Sequence, residues 1–186
     1  IFLDSGDWKI FPDYSTQVDG YTTNPSLAKA AGVKDYRDFA RQAVLSSLGK
    51  PISLEVLADD LGTIATQARE LSGFGQNVYV KIPVTNTNGD STGYLVNTLS
   101  REGIKLNITA VMTFEQIKYF LRQLYQETPA ILSIFAGRIA DTGRNPMAHF
   151  TAAASAKHDK TKLLWASARE VLNIKHAEQC GADIIT

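Results

Sequence analysis

A single cysteine, Cys180, in a chain of 186 residues excludes an internal disulfide framework and any metal site built from several thiolates. A reducing, cytoplasmic setting is the expectation. Net charge is missing as well. Nineteen Lys and Arg stand against nineteen Asp and Glu, so no long-range field recruits nucleic acid or an anionic membrane surface. Apolar runs are broken after a few residues by a charge, Gly or Pro, far short of the ~20 needed to cross a bilayer. Neither a membrane span nor a signal peptide is expected. No Gly-rich nucleotide loop and no metal-ligand cluster is seen, so no cofactor and no metal is implied. The partner that fits these absences is a small molecule.

What is present is enough apolar content, 44%, to build a full core, and a length in the usual one-domain range. A single domain over residues 1–186 is expected. Short β-rich runs alternate with helical stretches from end to end, the pattern of a parallel sheet covered by helices. The strand candidates are residues 1–4, 20–24, 51–56, 78–85, 105–111, 130–137, 162–168 and 182–186. Between them, Leu61, Ile64, Ala65, Ala68 and Leu71 repeat with helical spacing, as do Phe114, Ile117, Leu121 and Leu124. Thr113 followed by Gln116 reads as a capping box. Gly49, Gly103 and Gly181 read as helix ends, where Gly enters the left-handed conformation cheaply. The expected fold is α/β, a (β/α)8 TIM barrel. Because the first strand starts at residue 1 and the eighth ends at the last residue, the chain is expected to be a trimmed one, without an initiator Met or a closing eighth helix.

Strands of a parallel barrel are buried on both faces and should be apolar throughout unless function demands otherwise. These strands break that rule at regular places. Ile52, Leu54 and Val56 share one parity and Glu55 takes the other; Val80 and Ile82 flank Lys81; Leu106, Ile108 and Ala110 enclose Asn107 and Thr109; Leu132, Ile134 and Ala136 enclose Ser133 and Phe135. The aliphatic set is expected to face the helices and the polar set the barrel axis. Glu55, Lys81, Asn107 and Ser133 recur at an interval of 26 residues, so successive strands should deliver them at a similar height. Each such group costs several kcal/mol of desolvation, to order of magnitude, unless paired or used. A paired Glu55 to Lys81 bridge that only fills the barrel is the non-catalytic alternative. His149, His158 and His176 fall in or beside helices, are expected at the surface, and receive no catalytic or metal role. Trp165 reads as core.

The motifs that carry these residues resemble one family over almost the whole chain. Phe2-Leu3-Asp4, Gly20-Tyr21-Thr22-Thr23-Asn24-Pro25-Ser26, Val80-Lys81-Ile82-Pro83, Gly103-Ile104-Lys105-Leu106-Asn107-Ile108-Thr109, Phe135-Ala136-Gly137-Arg138 and Ser167-Ala168-Arg169 occur in the order seen in transaldolases, including their smaller fructose-6-phosphate aldolase-like branch. The resemblance implies that Lys81 forms a Schiff base with the ketone of a donor sugar. That chemistry needs a neutral amine, and burial disfavours the charged form of a lysine. It further implies that Asp4, Glu55 and Thr109 hold and relay a water that carries protons. Asn24, with Thr22 beside it, and Asn107 would orient donor hydroxyls and the intermediate, Ser133 would bind the dihydroxyacetone moiety, and Phe135 would stand beside it. Asn24 also reads as turn chemistry before Pro25.

Arg138 and Arg169, with Ser167, match the family's phosphate clamp, a role that suits the planar donors of guanidinium. The sequence departs from the family pattern here: Ala168 replaces the usual Phe, Glu170 follows Arg169, and Ile134 replaces Pro. A carboxylate next to the arginine opposes phosphate binding. Glu55 matches transaldolases proper, whereas the aldolase-like branch tends to carry Gln. The resemblance thus implies transfer of a three-carbon unit from a ketose phosphate to an aldose, in a homo-oligomer. The alternatives are an aldolase that uses the same lysine but releases free dihydroxyacetone, and a catalytically silent sugar-binding barrel.

Overall fold

The computed structural model describes all 186 residues. Its strands are β1 (Phe2–Asp4), β2 (Gly20–Thr22), β3 (Ile52–Glu55), β4 (Val78–Pro83), β5 (Leu106–Val111), β6 (Ala130–Ile134), β7 (Thr161–Trp165) and β8 (Ile184–Ile185). The helices between them are α1 (Phe11–Tyr14), α2 (Pro25–Ala30), α3 (Tyr36–Ser46), α4 (Leu61–Ser72), α5 (Gly93–Arg101), α6 (Phe114–Gln123), α7 (Ala136–Asp141), α8 (Met147–Ala156) and α9 (Asn173–Gln179). The strands are parallel and follow chain order in one sheet, β1 to β8, which is the expected (β/α)8 barrel class. Each expected strand is present, but most end earlier than the apolar runs that announced them. No helix is long and apolar enough to cross a membrane.

Two compact units make up the chain, Ile1–Lys81 and Ile82–Thr186, with the boundary inside β4. In the first, Ile52, Leu54 and Val80 are fully buried, and α4 turns Ile64, Ala68 and Leu71 inward. Each buried Val, Leu or Ile among them contributes ~1.5–3 kcal/mol relative to exposure. Leu61, the first member of the α4 stripe, is instead exposed at the helix start. Asp60 caps α4 by accepting from Thr63 N, and Asp35 caps α3 by accepting from Asp38 N.

In the second unit, Leu106, Ile108, Leu132 and Ile134 are fully buried, and α6 packs through Ile117, Phe120 and Leu121. The capping box of Thr113 and Gln116 is formed, each satisfying an amide of the other. Phe114, like Leu61, opens its helix exposed. Gly49, Gly103 and Gly181 all take the left-handed conformation. Trp165 is core, 1% exposed, stacked on Phe150 with ring centroids 5.0 Å apart.

Two expectations need correction in this unit. Ala110 does not continue the aliphatic parity of β5: the register to β6 shifts between Ile108 and Val111, and Ala110 is left-handed at φ 60°. A bulge at this point resets which face the following side chains occupy. His149 is not at the surface. It is 5% exposed and stacked on Phe114 at 4.1 Å between centroids. Burial holds its imidazole below the usual histidine range, and its Nδ1 has no partner.

Candidate active site

The first unit gathers most of the ionisable groups singled out from the sequence. Glu55 ends β3 and stands in register with Lys81 near the end of β4, so strand pairing alone sets the two side chains beside each other. The ammonium and Glu55 Oε2 are 3.0 Å apart, with side chains only 11% and 14% exposed. Lys81 Nζ also donates to the Thr23 carbonyl at 3.1 Å. At this burial the pair attracts far more strongly than in water, but each charge has lost hydration, so either partner left alone is costly.

A second cluster lies at the ends of β1 and β2. Thr22, opposite Asp4 in the ladder, donates its hydroxyl to Asp4 Oδ1 at 2.8 Å, and Asn24 Nδ2 approaches Asp4 Oδ2 at 3.5 Å. Asp4 is exposed at the end of its strand. Asn24 performs the turn role as well. Its Oδ1 accepts from Leu27 N at 2.9 Å and caps α2, with Pro25 at the first helical position.

In the second unit, Ser133 donates to Asn107 Oδ1 at 2.7 Å, both residues buried. Glu55 and Lys81 are direct ladder partners, but Asn107 and Ser133 are not. Asn107 stands opposite Ile131, and Ser133 is the next residue of the same parity further along β6. The hydrogen bond is therefore diagonal, made by side chains across the step. Thr109, 2% exposed, has a hydroxyl with no partner, and it directly precedes the strained Ala110. A buried, unsatisfied hydroxyl costs ~1–3 kcal/mol and calls for a reason.

Phe135, read as a strand residue, lies outside β6. It is half-buried at the start of α7, where its carbonyl takes Ile139 N at 2.9 Å, so strand parity does not reach it. Arg138 is exposed on α7. Ser167 and Arg169 lie beyond the end of β7, and Ser167 is left-handed at φ 66°. Arg169 Nη1 donates to Ser167 Oγ at 3.0 Å, and its Nη2 pairs with Asp141 Oδ2 at 2.7 Å. The carboxylate engaged with Arg169 is thus Asp141 of α7, not the adjacent Glu170. That hydrogen bond holds the Asp141 carboxyl below the usual carboxylate range. Gly137 is dictated by this approach, because a Cβ there would sit 1.8 Å from the Ser167 carbonyl oxygen. Arg169 also lines a cavity of about 340 Å³ with Ala136, Trp165, Asn173 and His176.

Three residues of the candidate site escaped the sequence. Thr23 contributes a main-chain carbonyl, which any residue type carries. Asp141 pairs through tertiary approach alone. Tyr36 opens α3 and donates its hydroxyl to the Glu55 carbonyl at 2.6 Å. No three His, Cys, Asp or Glu side chains come together as a metal-binding set.

An eight-stranded α/β sheet that sets a buried lysine against a glutamate defines a class of protein, and comparison with known proteins supplies the family. The model of the family described as Transaldolase/Fructose-6-phosphate aldolase matches residues 1–186, and the chain belongs to that family. A probable transaldolase of Methanococcus maripaludis is 33% identical over 190 aligned residues, covering all of this chain and 84% of the relative. A probable transaldolase of Dehalococcoides mccartyi is 32% identical, with 91% of this chain and 76% of the relative aligned. Among solved structures, orotidine 5'-phosphate decarboxylase from Pyrococcus horikoshii matches with a TM-score of 0.67 at 16% identity, covering all of this chain and 88% of that one. Dihydrodipicolinate synthase from Rhodopseudomonas palustris matches at 0.59 and 12%, over all of this chain and 68% of that one. At such identities these two likenesses concern the fold alone.

Proposed function

We propose that this chain transfers a dihydroxyacetone unit from a ketose phosphate to an aldose through a Schiff base on Lys81. The observation that carries the reading is a buried primary amine 3.0 Å from a carboxylate, on adjacent strands of a transaldolase-family chain. A lysine present only to cover apolar surface would extend its head to water. Glu55 can take the ammonium proton and leave a neutral nucleophile, while the Thr23 carbonyl accepts from the amine in either state. The amine adds to the donor ketone carbon, and the carbinolamine loses its hydroxyl as water with a proton returned by the carboxyl group. The C3–C4 bond then breaks, its electron pair flowing into the iminium as the C4 hydroxyl gives up its proton. An aldehyde leaves and an enamine stays on Lys81 until an acceptor aldehyde is attacked and water releases the product.

Asp4 and Thr109 complete the proton relay in this reading, and Thr22, Asn24, Asn107 and Ser133 receive the hydroxyls of the three-carbon unit. The unpartnered Thr109 hydroxyl is what a water-holding role predicts. Borohydride added to the protein with a ketose phosphate donor should yield a stable adduct, read by intact mass and mapped by peptide analysis to Lys81. No adduct, or one on another lysine, would overturn the Schiff-base mechanism and leave a sugar-binding protein.

The family description also covers an aldolase that releases free dihydroxyacetone. Glu55, where the aldolase-like branch tends to carry Gln, and Phe135, which offers no proton, favour transfer. Coupled assays of cleavage with and without an aldose acceptor separate the two reactions: transfer requires the acceptor, release does not.

Arg138 and Arg169 are the phosphate ligands of this reading. Each loss to Ala should weaken phosphorylated donors by ~1.5–3 kcal/mol, about 10- to 150-fold in kcat/KM, with little change for unphosphorylated ones. Because Asp141 already occupies Arg169, the Arg169→Ala loss should be the smaller. Equal losses for both donor types in either variant would remove the phosphate role.

A further inference from the structure

Tyr36 is placed with unusual definition for a residue at the start of a helix. The Asp35 carboxylate caps α3 through Asp38 N, which fixes the first turn, and the Tyr36 ring packs on Phe39 with centroids 5.6 Å apart. Its hydroxyl donates to the carbonyl of Glu55 at 2.6 Å. The Thr23 hydroxyl donates to the Ser53 carbonyl at 3.1 Å, which ties the residue after β2 to β3. Glu55 and Thr23 are the two residues whose oxygens receive Lys81 Nζ, one through its carboxylate and the other through its main chain. Tyr36 therefore holds the main chain of the residue whose carboxylate faces the amine. Just past Glu55, Gln67 of α4 adds a second tether. Its Oε1 accepts from Leu57 N at 2.7 Å and from Ala58 N at 3.0 Å, holding the segment that leaves β3.

We propose that Tyr36 is a positioning residue for Lys81, its hydroxyl fixing the end of β3 so that the Glu55 carboxylate stays aimed at the amine. This rests on the Schiff-base reading above. Tyr36 touches neither Lys81 nor any reacting atom, so its effect passes through Glu55. Burial and the neighbouring Glu55 charge push the phenol well above the usual tyrosine range, which keeps it a donor throughout the pH range of an assay. A carboxylate that must take a proton from an amine at 3.0 Å and return it later depends on distance and angle, and small displacements of such groups are expensive in rate.

The test is Tyr36→Phe, which deletes only the hydroxyl. On a ketose phosphate donor with an aldose acceptor, kcat should fall ~10-fold while KM stays within about 2-fold, since geometry and not donor contact is lost. In a Glu55→Gln background the same substitution should add almost nothing, because the group that Tyr36 aims is already disabled. A kcat equal to that of the wild type, or an equal fractional loss in both backgrounds, would make Tyr36 a packing residue and overturn the proposal. If Tyr36→Phe unfolds at assay temperature, the same kinetics below its melting temperature, against the wild type at that temperature, carry the test. Borohydride trapping of the wild type separates the two levels. No adduct on Lys81 overturns the mechanism and this proposal together, whereas a normal adduct with an unaltered Tyr36→Phe overturns this proposal alone.

Discussion

Lys81→Met removes turnover by ~10⁴-fold or more, as expected when the nucleophile of a covalent mechanism is deleted and only binding contacts remain. Methionine matches the lysine stem in length and apolar character, so the packing of β4 between its neighbours is kept. What is lost is the amine, and with it the cation that faces Glu55 at 3.0 Å. The orphaned carboxylate sits in a site where it is only 14% exposed, and breaking a buried pair from one side typically costs ~3–5 kcal/mol. The variant should therefore melt earlier than the wild type. Lys81→Arg separates chemistry from stability. Guanidinium keeps the positive charge and its hydrogen bonds, yet stays protonated at any assay pH and cannot form the Schiff base. Its melting temperature should recover toward the wild-type value while turnover and borohydride adduct stay absent. Residual turnover above a few per cent in either variant, measured by acceptor-dependent product formation, would mean that another group carries the reaction.

The parts of this site that could be read in the sequence are those that strand periodicity controls. Glu55 and Lys81 each interrupt an aliphatic strand at the opposite parity, and ladder pairing then fixes their contact. Asn107 and Ser133 could be assigned to one face by the same logic. Their pairing could not, because β5 sets Asn107 opposite Ile131 and not opposite Ser133, a register that no side-chain pattern in either strand announces. Beyond the strand ends the period disappears. Strand parity fails at Phe135 because β6 ends one residue before it, and the partner of Arg169 is Asp141, 28 positions away. Gly137 is a different case: the sequence shows a glycine, but only the approach of the Ser167 carbonyl explains why no larger residue fits. A helix position does not reveal which face is covered, and the ring of Phe114 covers His149. Tyr36 could not be anticipated at all. It acts on a main-chain oxygen, and no pattern of side chains marks which carbonyl at a strand end will be taken by a phenol.

Glu55→Gln lowers kcat by ~100-fold or more and leaves donor affinity within a few-fold, because an amide of the same size cannot cycle a proton. The glutamine can still accept a hydrogen bond from Lys81 through its side-chain oxygen, and the Thr23 carbonyl at 3.1 Å remains available to the amine. The lysine is thus held in place but has lost the base that turns it into a nucleophile. Three steps of the proposed cycle need such a base or its conjugate acid: release of the ammonium proton, departure of the carbinolamine hydroxyl, and transfer of the C4 hydroxyl proton during carbon–carbon cleavage. A single-turnover experiment distinguishes them. If the first two are slowed, the borohydride-trapped adduct accumulates slowly; if only the third is slowed, the adduct forms at the wild-type rate and persists. Glutamine at this position is also what the aldolase-like branch tends to carry, so the products matter as much as the rate. Residual activity that no longer depends on an aldose acceptor would identify Glu55 as the residue that favours transfer over release. An unchanged kcat, with the adduct formed and consumed at wild-type rates, would return Glu55 to the part of a buried counter-ion that stabilises the end of β3 and takes no part in proton transfer.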